Sequence, residues 1–278
     1  MNKLKTINKV IKTAFEEDKI NNDITTLSIV PKDLKAKAII LAKENGILAG
    51  IDIAKRVFQL LEPKIIFKKN KNDGDKIKKY QVIAEIQGNA RTILTGERTA
   101  LNILQRLSGI ATKTFKFVER AGKIKILDTR KTTPGLRELE KYAVSVGGGI
   151  NHRYDLQEAV LIKDNHIEIA GSVTEAVKRA ESTHKNIEVE VKNIKEVKEA
   201  LKTKANRLLL DNMNIRQMRN AVKLVKKKPG ITTEISGGVN LKRLKNIATT
   251  GADYASVGAL THAIKSLDIS LEIQKSLC

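Results

Sequence analysis

The sequence predicts an α/β protein in two parts: a small mixed α+β domain, then a parallel sheet closed or nearly closed into a barrel. Before about residue 107, strand-like and helix-like stretches follow one another without regular alternation, which is typical of an α+β arrangement. After that point, six short apolar runs alternate with stretches of helical periodicity. This repeat is typical of β/α units and a parallel sheet.

Turn residues separate the predicted helices and strands of the first part. Asn21-Asn22-Asp23 interrupts a helical pattern, and Asn72-Asp73-Gly74-Asp75 separates two strand-like stretches. Such residues mark turns because they tolerate unusual backbone angles or bond their own backbone. The predicted elements are helices at 2–17, 51–61 and 90–107 and strands at 35–42, 65–68 and 81–86.

The second part repeats a strand followed by a helix. The predicted strands are 124–127, 159–162, 187–191, 207–210, 232–235 and 254–257, and the predicted helices are 136–146, 173–182, 194–201, 215–225 and 241–249. A doubly wound open sheet is the alternative to a barrel. No Gly-x-Gly-x-x-Gly follows the first strand, so a dinucleotide-binding version of that sheet has no support.

The charge of the chain permits two interpretations. The 278 residues include 52 Lys and Arg against 31 Asp and Glu, a formal net charge of +21. A basic face could bind nucleic acid, or a lysine-rich surface could accompany a site for a small anion. The chain is only 3% aromatic and has no Trp, so stacking surfaces for bases are scarce. The second interpretation is favoured, and no nucleic-acid partner is expected.

Targeting and redox signals predict a cytoplasmic protein. No apolar run is long enough to span a membrane, and residues 1–19 contain no continuous apolar stretch like that of a signal peptide. The single cysteine, Cys278, excludes an internal disulfide and a cysteine-based zinc site. This usage fits a reducing compartment.

The candidate site lies where the predicted barrel strands end. Arg130 and Lys131 follow the first strand, Lys163 follows the second, and Arg153 lies between them. Ligands of parallel α/β proteins bind at the carboxyl ends of the strands. Four cations brought together there repel one another unless an anion lies among them. We therefore expect a site for a small molecule with several negative charges.

Two carboxylates end neighbouring strands on the same edge. Glu190 lies in IEVEV and Asp211 ends LLLD. Glu190 could instead be a solvent-facing strand residue, and Asp211 could be the N-cap of the next helix. Opposite the cations, the pair could hold Mg²⁺ through waters, as that ion prefers beside phosphates.

Glycines after the last strands predict a phosphate site. The backbone amides of Ser236-Gly237-Gly238 and those around Gly258 could surround a phosphate, because glycine lets the main chain approach an anion closely. The alternative is that these glycines serve only left-handed turns.

The four histidines show no metal-ligand spacing. His152 follows Gly147-Gly148-Gly149, which could be a helix C-cap or a flexible loop. His152 itself could act as a general acid or base, or as a structural hydrogen-bond donor.

Seven motifs make the chain resemble one known family. They are GERTALNILQRLSGIAT, LDTRKTTPGLRELEKYAVSVGGGINHR, EAVLIKDNH, EVEV, LLLDNM, SGGV and DYASVGALTH. The chain is similar to quinolinate phosphoribosyltransferases, also called nicotinate-nucleotide pyrophosphorylases (carboxylating), from about Asp23 to Ile273. The resemblance implies an incomplete, roughly six-stranded α/β barrel over 108–265. It also implies an N-terminal open-faced α/β sandwich over 1–107, joined by 266–278.

The resemblance also implies roles for individual residues. Arg98 resembles an arginine that one subunit of a homodimer, or of a higher oligomer, supplies to the site of its partner. Lys131, Glu190 and Asp211 are expected to be catalytic. The pocket for the two carboxylates of quinolinate is expected at Thr129, Arg130, Lys131, His152, Arg153 and Lys163. Glu190 and Asp211 are expected to face the ribose and to hold Mg²⁺ through water. The phosphate site is expected at Ser236, Gly237, Gly238, Val257, Gly258 and Ala259.

The activity implied by the resemblance is a phosphoribosyl transfer in de novo NAD biosynthesis. Phosphoribosyl pyrophosphate and quinolinate would give nicotinate mononucleotide, CO₂ and pyrophosphate, with Mg²⁺ as the only cofactor and no membrane partner. Two alternatives stay open. A paralogue found with molybdate-transport genes shares the fold, although the intact arginines in DTRKTTPG and GINHR favour the transferase. A nucleic-acid-binding protein is suggested by charge alone.

Overall fold

The computed structural model describes residues 3–277. Met1, Asn2 and Cys278 lie outside the described residues, and with them the first residue of the predicted 2–17 helix and the single cysteine. The chain forms two compact units. The first comprises the described residues of Met1–Phe115, Thr132–Gly148 and Ala263–Cys278, and the second comprises Lys116–Lys131 and Gly149–His262.

Helices and strands are numbered here in chain order. The helices are α1 (Lys3–Glu17), α2 (Ile24–Ile29), α3 (Ile51–Leu61), α4 (Ala90–Arg120), α5 (Arg137–Val146), α6 (Asp164–Ala170), α7 (Val173–Glu181), α8 (Ile194–Ala200), α9 (Ile215–Val225), α10 (Leu241–Ile247) and α11 (Ala259–His262). The strands are β1 (Lys35–Ala42), β2 (Gly46–Ile47), β3 (Ile66–Lys69), β4 (Lys76–Ile77), β5 (Val82–Asn89), β6 (Lys125–Leu127), β7 (Val160–Ile162), β8 (Ile187–Val191), β9 (Arg207–Asp211), β10 (Thr232–Ser236), β11 (Tyr254–Ser256) and β12 (Ile269–Leu277).

The first unit is built on a four-stranded antiparallel sheet in the order β12-β1-β5-β3. Alternate residues of β1 are buried, including Ala36, Ala38 and Ile40, because successive side chains of a strand point to opposite faces. β12, which the sequence analysis did not predict as a strand, pairs along the whole length of β1. The C-terminal segment therefore belongs to the first unit.

Helix α4 is longer than predicted: it does not end at residue 107 but runs from Ala90 to Arg120. The helix continues through Ser108 and Gly109, and both residues serve close packing. The Ser108 hydroxyl accepts a hydrogen bond from the Ala49 amide at 3.0 Å. A Cβ at position 109 would lie 2.3 Å from the carbonyl oxygen of Lys265. Glycine is needed there because another backbone passes too near for any side chain.

The second unit contains six parallel strands in the order β6-β11-β10-β9-β8-β7. From β7 to β11 each strand lies beside the next in sequence, and β6 closes onto β11, as the first and last strands of a barrel do. Among the described residues β6 does not pair with β7, and beyond its β11 partner it makes only a single bridge, from Leu127 to Ile150. The barrel is therefore incomplete, and the prediction of an α/β barrel with an N-terminal sandwich is confirmed, whereas the doubly wound alternative is wrong.

Strand parity inside the barrel decides which side chains face the site. Three neighbouring strands share one face, because their even or odd positions are in register. This face carries residues 188 and 190 of β8, 207, 209 and 211 of β9, and 232, 234 and 236 of β10. The opposite parity is buried and mostly apolar, as at Val189, Leu208 and Ile235, with Thr233 as a polar exception. No helix among the described residues has both the length and the apolar character needed to cross a bilayer.

Candidate active site at the carboxyl ends of the barrel strands

The carboxyl ends of the barrel strands surround a cavity of about 820 Å³. All the predicted binding residues of the second unit line it: Thr129, Arg130, Lys131, His152, Arg153, Lys163, Glu190, Asp211, Ser236, Gly237, Gly238, Val257, Gly258 and Ala259. Arg98 belongs to α4 in the first unit. Its side chain is 70% exposed and lies 3.2 Å from the Glu97 carboxylate.

The cations on the cavity wall are held close enough to repel one another. Arg153 donates from Nη1 to the carbonyl of Ala159 at 2.9 Å. Burial, and then the like charge of Arg130, lower the pKa of the Arg153 guanidinium below its usual value. An anionic ligand relieves such repulsion.

The backbone of Lys131 is fixed at both of its polar groups. Its amide donates to the Thr129 hydroxyl at 3.0 Å, and its carbonyl accepts from the Thr261 hydroxyl at 2.7 Å. These bonds give the Lys131 side chain a rigid backbone support just after the end of β6.

Glu190 and Asp211 form an acidic pair on neighbouring strands. Both are half-buried and line the cavity, so Glu190 is not a solvent-facing strand residue. Burial, and then the charge of Asp211, raise the pKa of Glu190 above its usual value. Asn214, and not Asp211, caps α9, because its side chain accepts from the Gln217 amide at 3.0 Å. Mutually repelling carboxylates of this kind fit a cation such as Mg²⁺.

His152 lies at the cavity with both ring nitrogens engaged by the protein. Nδ1 accepts from the Arg153 amide at 2.8 Å, and Nε2 lies 3.2 Å from a Glu188 oxygen and 3.6 Å from a Glu234 oxygen. Burial by itself lowers the pKa of His152, but the hydrogen bond to Glu188 and the charges of Glu234 and Glu188 outweigh it. The pKa of His152 therefore lies above its usual value.

The glycine-rich loop after β10 has a backbone that only glycine adopts readily. Gly237 and Gly238 have φ of 86° and 58°. A Cβ on Gly237 would lie 2.2 Å from Oδ1 of Asn212, and one on Gly258 would lie 3.1 Å from Cδ of Lys131. Arg243 donates to the carbonyls of Gly237 and Gly238, at 3.1 Å each. Gly237 and Gly238 thus lie in left-handed turns, as the alternative interpretation expected, whereas Gly258 does not have a positive φ. All three glycines line the cavity.

Five further polar residues line the same cavity and were not predicted from the sequence: Asn212, Glu234, Asn240, Ser256 and His262. Glu234 shares its strand parity with Ser236, which was the available signal. His262 lies four positions after Gly258 in the short α11. Asn212 adopts a positive φ of 52°, which only the folded backbone reveals.

Two acidic residues that follow strand ends serve the scaffold. Asp128 is fully buried and accepts from the His152 amide at 2.8 Å. Asp164 pairs with Lys192 at 2.9 Å, and that ion pair and its hydrogen bonds hold the pKa of Asp164 below its usual value.

Comparison with known proteins gives consistent similarities over nearly the whole chain. The family "Quinolinate phosphoribosyl transferase, N-terminal domain" matches residues 23–108, and "Quinolinate phosphoribosyl transferase, C-terminal domain" matches residues 110–272. A "Probable nicotinate-nucleotide pyrophosphorylase (carboxylating)" of Bacillus subtilis is 45% identical, over 97% of this chain and 94% of its own. "Quinolinate phosphoribosyltransferase (decarboxylating) 2b, mitochondrial" of Nicotiana tabacum is 41% identical, over 98% and 83%. The solved nicotinate-nucleotide pyrophosphorylase from Francisella tularensis superposes with a TM-score of 0.92 at 39% identity, over 97% of this chain and 96% of that one.

Proposed function

Because the chain belongs to the quinolinate phosphoribosyltransferase family, we propose that the barrel-end cavity carries out the family's reaction with the residues described above. The enzyme transfers the phosphoribosyl group of phosphoribosyl pyrophosphate to quinolinate with decarboxylation, in de novo NAD biosynthesis. The products are nicotinate mononucleotide, CO₂ and pyrophosphate. The observation that carries the assignment to this cavity is its wall of Arg130, Lys131, Arg153 and Lys163.

The two carboxylates of quinolinate bind among the cations of this wall. A guanidinium holds a carboxylate through two parallel hydrogen bonds, so Arg130 and Arg153 give orientation as well as charge. Thr129, His152 and Lys163 complete this part of the cavity. Burial, and then the like charge of Arg130, lower the pKa of Arg153. This supports the assignment, because a bound dianion favours the charged guanidinium against both effects.

Transfer begins when the ring nitrogen of quinolinate attacks the anomeric carbon of phosphoribosyl pyrophosphate. The new C–N bond forms as the C–O bond breaks, and pyrophosphate leaves with the electron pair. Positive charge develops on the ribose, and the carboxylates of Glu190 and Asp211 stabilise it. The ammonium group of Lys131 stabilises the negative charge of the leaving pyrophosphate.

Decarboxylation needs no organic cofactor, because the electron sink is in the intermediate. The carboxyl group next to the cationic ring nitrogen leaves as CO₂, and a proton then replaces it on the ring carbon. The amides of Ser236, Gly237 and Gly238, with those of Val257, Gly258 and Ala259, hold a phosphate of the substrate during both steps.

Mg²⁺ is part of the proposal, with Glu190 and Asp211 holding the ion through water. Burial, and then the charge of Asp211, raise the pKa of Glu190. This supports the proposal, since a divalent cation favours the ionised carboxylate against both effects. The ion supplies charge neutralisation to the pyrophosphate. Activity is expected to disappear when EDTA removes Mg²⁺ and to return when Mg²⁺ is added back.

A cytoplasmic homodimer is also proposed. A residue given to a partner subunit must be exposed, and Arg98 is 70% exposed. The single cysteine supports a reducing compartment.

The decisive test of the function is an assay with quinolinate, phosphoribosyl pyrophosphate and Mg²⁺ that follows nicotinate mononucleotide and CO₂. Product from quinolinate but not from nicotinate is expected. A folded protein that makes no product would favour the paralogue found with molybdate-transport genes, and other aromatic acids would then be screened. Binding to DNA or RNA that weakens steeply with salt would instead favour the nucleic-acid interpretation.

A further inference from the structure

Asn212 lines the cavity, and the proposed reaction gives it no part. It follows Asp211, the last residue of β9, and its φ of 52° lies in the left-handed region. Every residue except glycine finds this backbone unfavourable, although Asn tolerates it better than most. An unfavourable backbone at the wall of a cavity indicates that the side chain has a role there.

The left-handed backbone brings two consecutive side chains together. In an extended strand, neighbours in sequence point to opposite faces of the sheet. At Asn212 this alternation ends, and Nδ2 of its amide donates to Oδ2 of Asp211 at 2.7 Å. Within residues 3–277, Asn212 is the one hydrogen-bond donor to this carboxylate. A hydrogen bond to an ionised carboxylate is stronger than one between neutral groups, so the amide can hold the carboxylate in place.

The other end of the Asn212 amide lies against the glycine-rich loop after β10. A Cβ on Gly237 would lie 2.2 Å from Oδ1 of Asn212 and 2.8 Å from its backbone nitrogen. That nitrogen donates to the carbonyl of Ser236 at 3.1 Å. Asn212 therefore lies between the acidic pair and the loop, the two parts of the cavity assigned to the ribose and to a phosphate.

We propose that Asn212 is a positioning residue for the transfer reaction: its amide holds the Asp211 carboxylate in one orientation beside the glycine-rich loop. This inference rests on the proposed function and deepens it, because it assigns the orientation of a proposed catalytic carboxylate to its neighbour in sequence. A carboxylate that stabilises the charge developing on the ribose must be oriented before the reaction begins. Without its donor, the Asp211 side chain is free to rotate.

The competing explanation is that Asn stands at position 212 only because it tolerates a left-handed backbone. Glycine adopts that backbone more readily still, so the Asn212→Gly variant separates the two explanations. If the backbone alone matters, the variant folds and reacts like the wild-type protein. If the amide positions Asp211, the variant folds but reacts slowly.

The test compares Asn212→Gly and Asn212→Asp with the wild-type protein in the full chain. In Asn212→Gly, kcat is expected to fall about tenfold while the KM for quinolinate changes less than about twofold, because a misplaced carboxylate affects the transition state more than substrate binding. Asn212→Asp keeps the size of the side chain but has no amide donor, so its kcat is expected to fall at least as far. Lys19→Gly is the matched control, since Lys19 is exposed, has a φ of 49° and does not line the cavity. It is expected to change neither kcat nor KM.

A double-mutant cycle tests whether Asn212 acts through Asp211. In an Asp211→Ala background, Asn212→Gly is expected to change kcat less than about twofold, because the carboxylate that the amide orients is already absent. The same tenfold loss in both backgrounds would mean that the amide acts independently of Asp211, and would reject the inference.

Crystal structures of the unliganded wild-type and Asn212→Gly proteins give a readout that needs no turnover, and it stays available if Asp211→Ala is too slow to measure. The wild-type protein is expected to show the hydrogen bond between Asn212 and Asp211, and the variant is expected to show the Asp211 carboxylate rotated or in two orientations. An unchanged single orientation in the variant would overturn the inference, as would wild-type kcat in Asn212→Gly. A wild-type protein that makes no product would instead reject the proposed function, which the crystal structures do not test.

Discussion

Single residues at the strand ends carry the proposed chemistry, and the backbone of Lys131 is held independently of its side chain. Lys131 shows this separation: Thr129 and Thr261 fix its amide and carbonyl, whereas its side chain faces the cavity. A substitution there can remove a charge from the site without removing a contact from the fold.

Lys131→Ala is therefore expected to lower kcat by at least about 10²-fold, as when one stabilising group is removed from a transition state. The melting temperature is expected to stay within about 2 °C of wild type, because surface changes away from packed contacts have small effects. Steady-state kinetics and a thermal melt on the same sample check both. A large fall in melting temperature would make Lys131 a structural residue instead.

The polar residues of the site differ in how well the sequence predicted them. Arg130, Lys131 and Lys163 were predictable because they follow the ends of two short apolar runs, at Leu127 and at Ile162. The partners of His152 were not, because Glu188 and Glu234 approach it from strands far away in sequence. A charged residue inside a strand pattern looks solvent-facing until the barrel places that face inward.

Among the elements, α10 stabilises the glycine-rich loop that precedes it. Arg243 of α10 contacts the carbonyls of Gly237 and Gly238 at 3.1 Å each, and that of Met213 at 3.5 Å. Three carbonyls on one guanidinium hold two strand-end loops together. The loop backbone is thereby kept in one arrangement, as the proposed phosphate site requires.

Arg243→Ala is expected to raise the KM for phosphoribosyl pyrophosphate about five- to tenfold and to leave the KM for quinolinate nearly unchanged. Without Arg243 the glycine-rich loop is less ordered before the substrate binds. Part of the free energy of binding phosphoribosyl pyrophosphate must then be used to order the loop. Lys242→Ala is the matched control, since Lys242 is the exposed neighbour on the same helix. Equal changes in both KM values would count against a role confined to the loop.

Helix α4 passes the Ser108-Gly109 pair without a break, because another segment packs directly on it. The gap between Gly109 and the Lys265 carbonyl leaves no room for a methyl group. In the sequence alone, a glycine such as Gly109 is a signal for the end of a helix. In the folded protein, Gly109 is a point of close approach between two backbones.

Gly109→Ala is expected to destabilise the protein by about 1–3 kcal/mol, the usual cost of overpacking, although alanine favours helix more than glycine does. Chemical denaturation measures the free energy of unfolding. Lys116→Ala, at an exposed position of the same helix, should stay within about 0.5 kcal/mol of wild type. A stabilised Gly109→Ala protein would show that the Lys265 segment moves away at little cost.

At the scale of the whole molecule, the proposed sharing of a site between subunits makes a prediction about mixed dimers. Arg98→Ala and Lys131→Ala should each be nearly inactive alone. After subunit exchange, a mixed dimer contains one site with both residues intact, so a mixture is expected to recover up to about a quarter of wild-type activity if chains pair at random. Activity of the mixture and mass measurement of exchanged dimers check it together. Proven exchange without recovery would reject a shared site.

The sequence by itself determined the α/β barrel, the edge at which the cavity lies and most of the cavity wall, because strand alternation, turns and strand-end polar residues are local signals. Only the tertiary structure decided three other features: the continuation of α4 to Arg120, the pairing of β12 with β1, and the meeting of His152 with Glu188 and Glu234. Each of these depends on contacts between segments far apart in the chain. A local pattern cannot specify such contacts, because burial and charge balance exist only once the strands have come together.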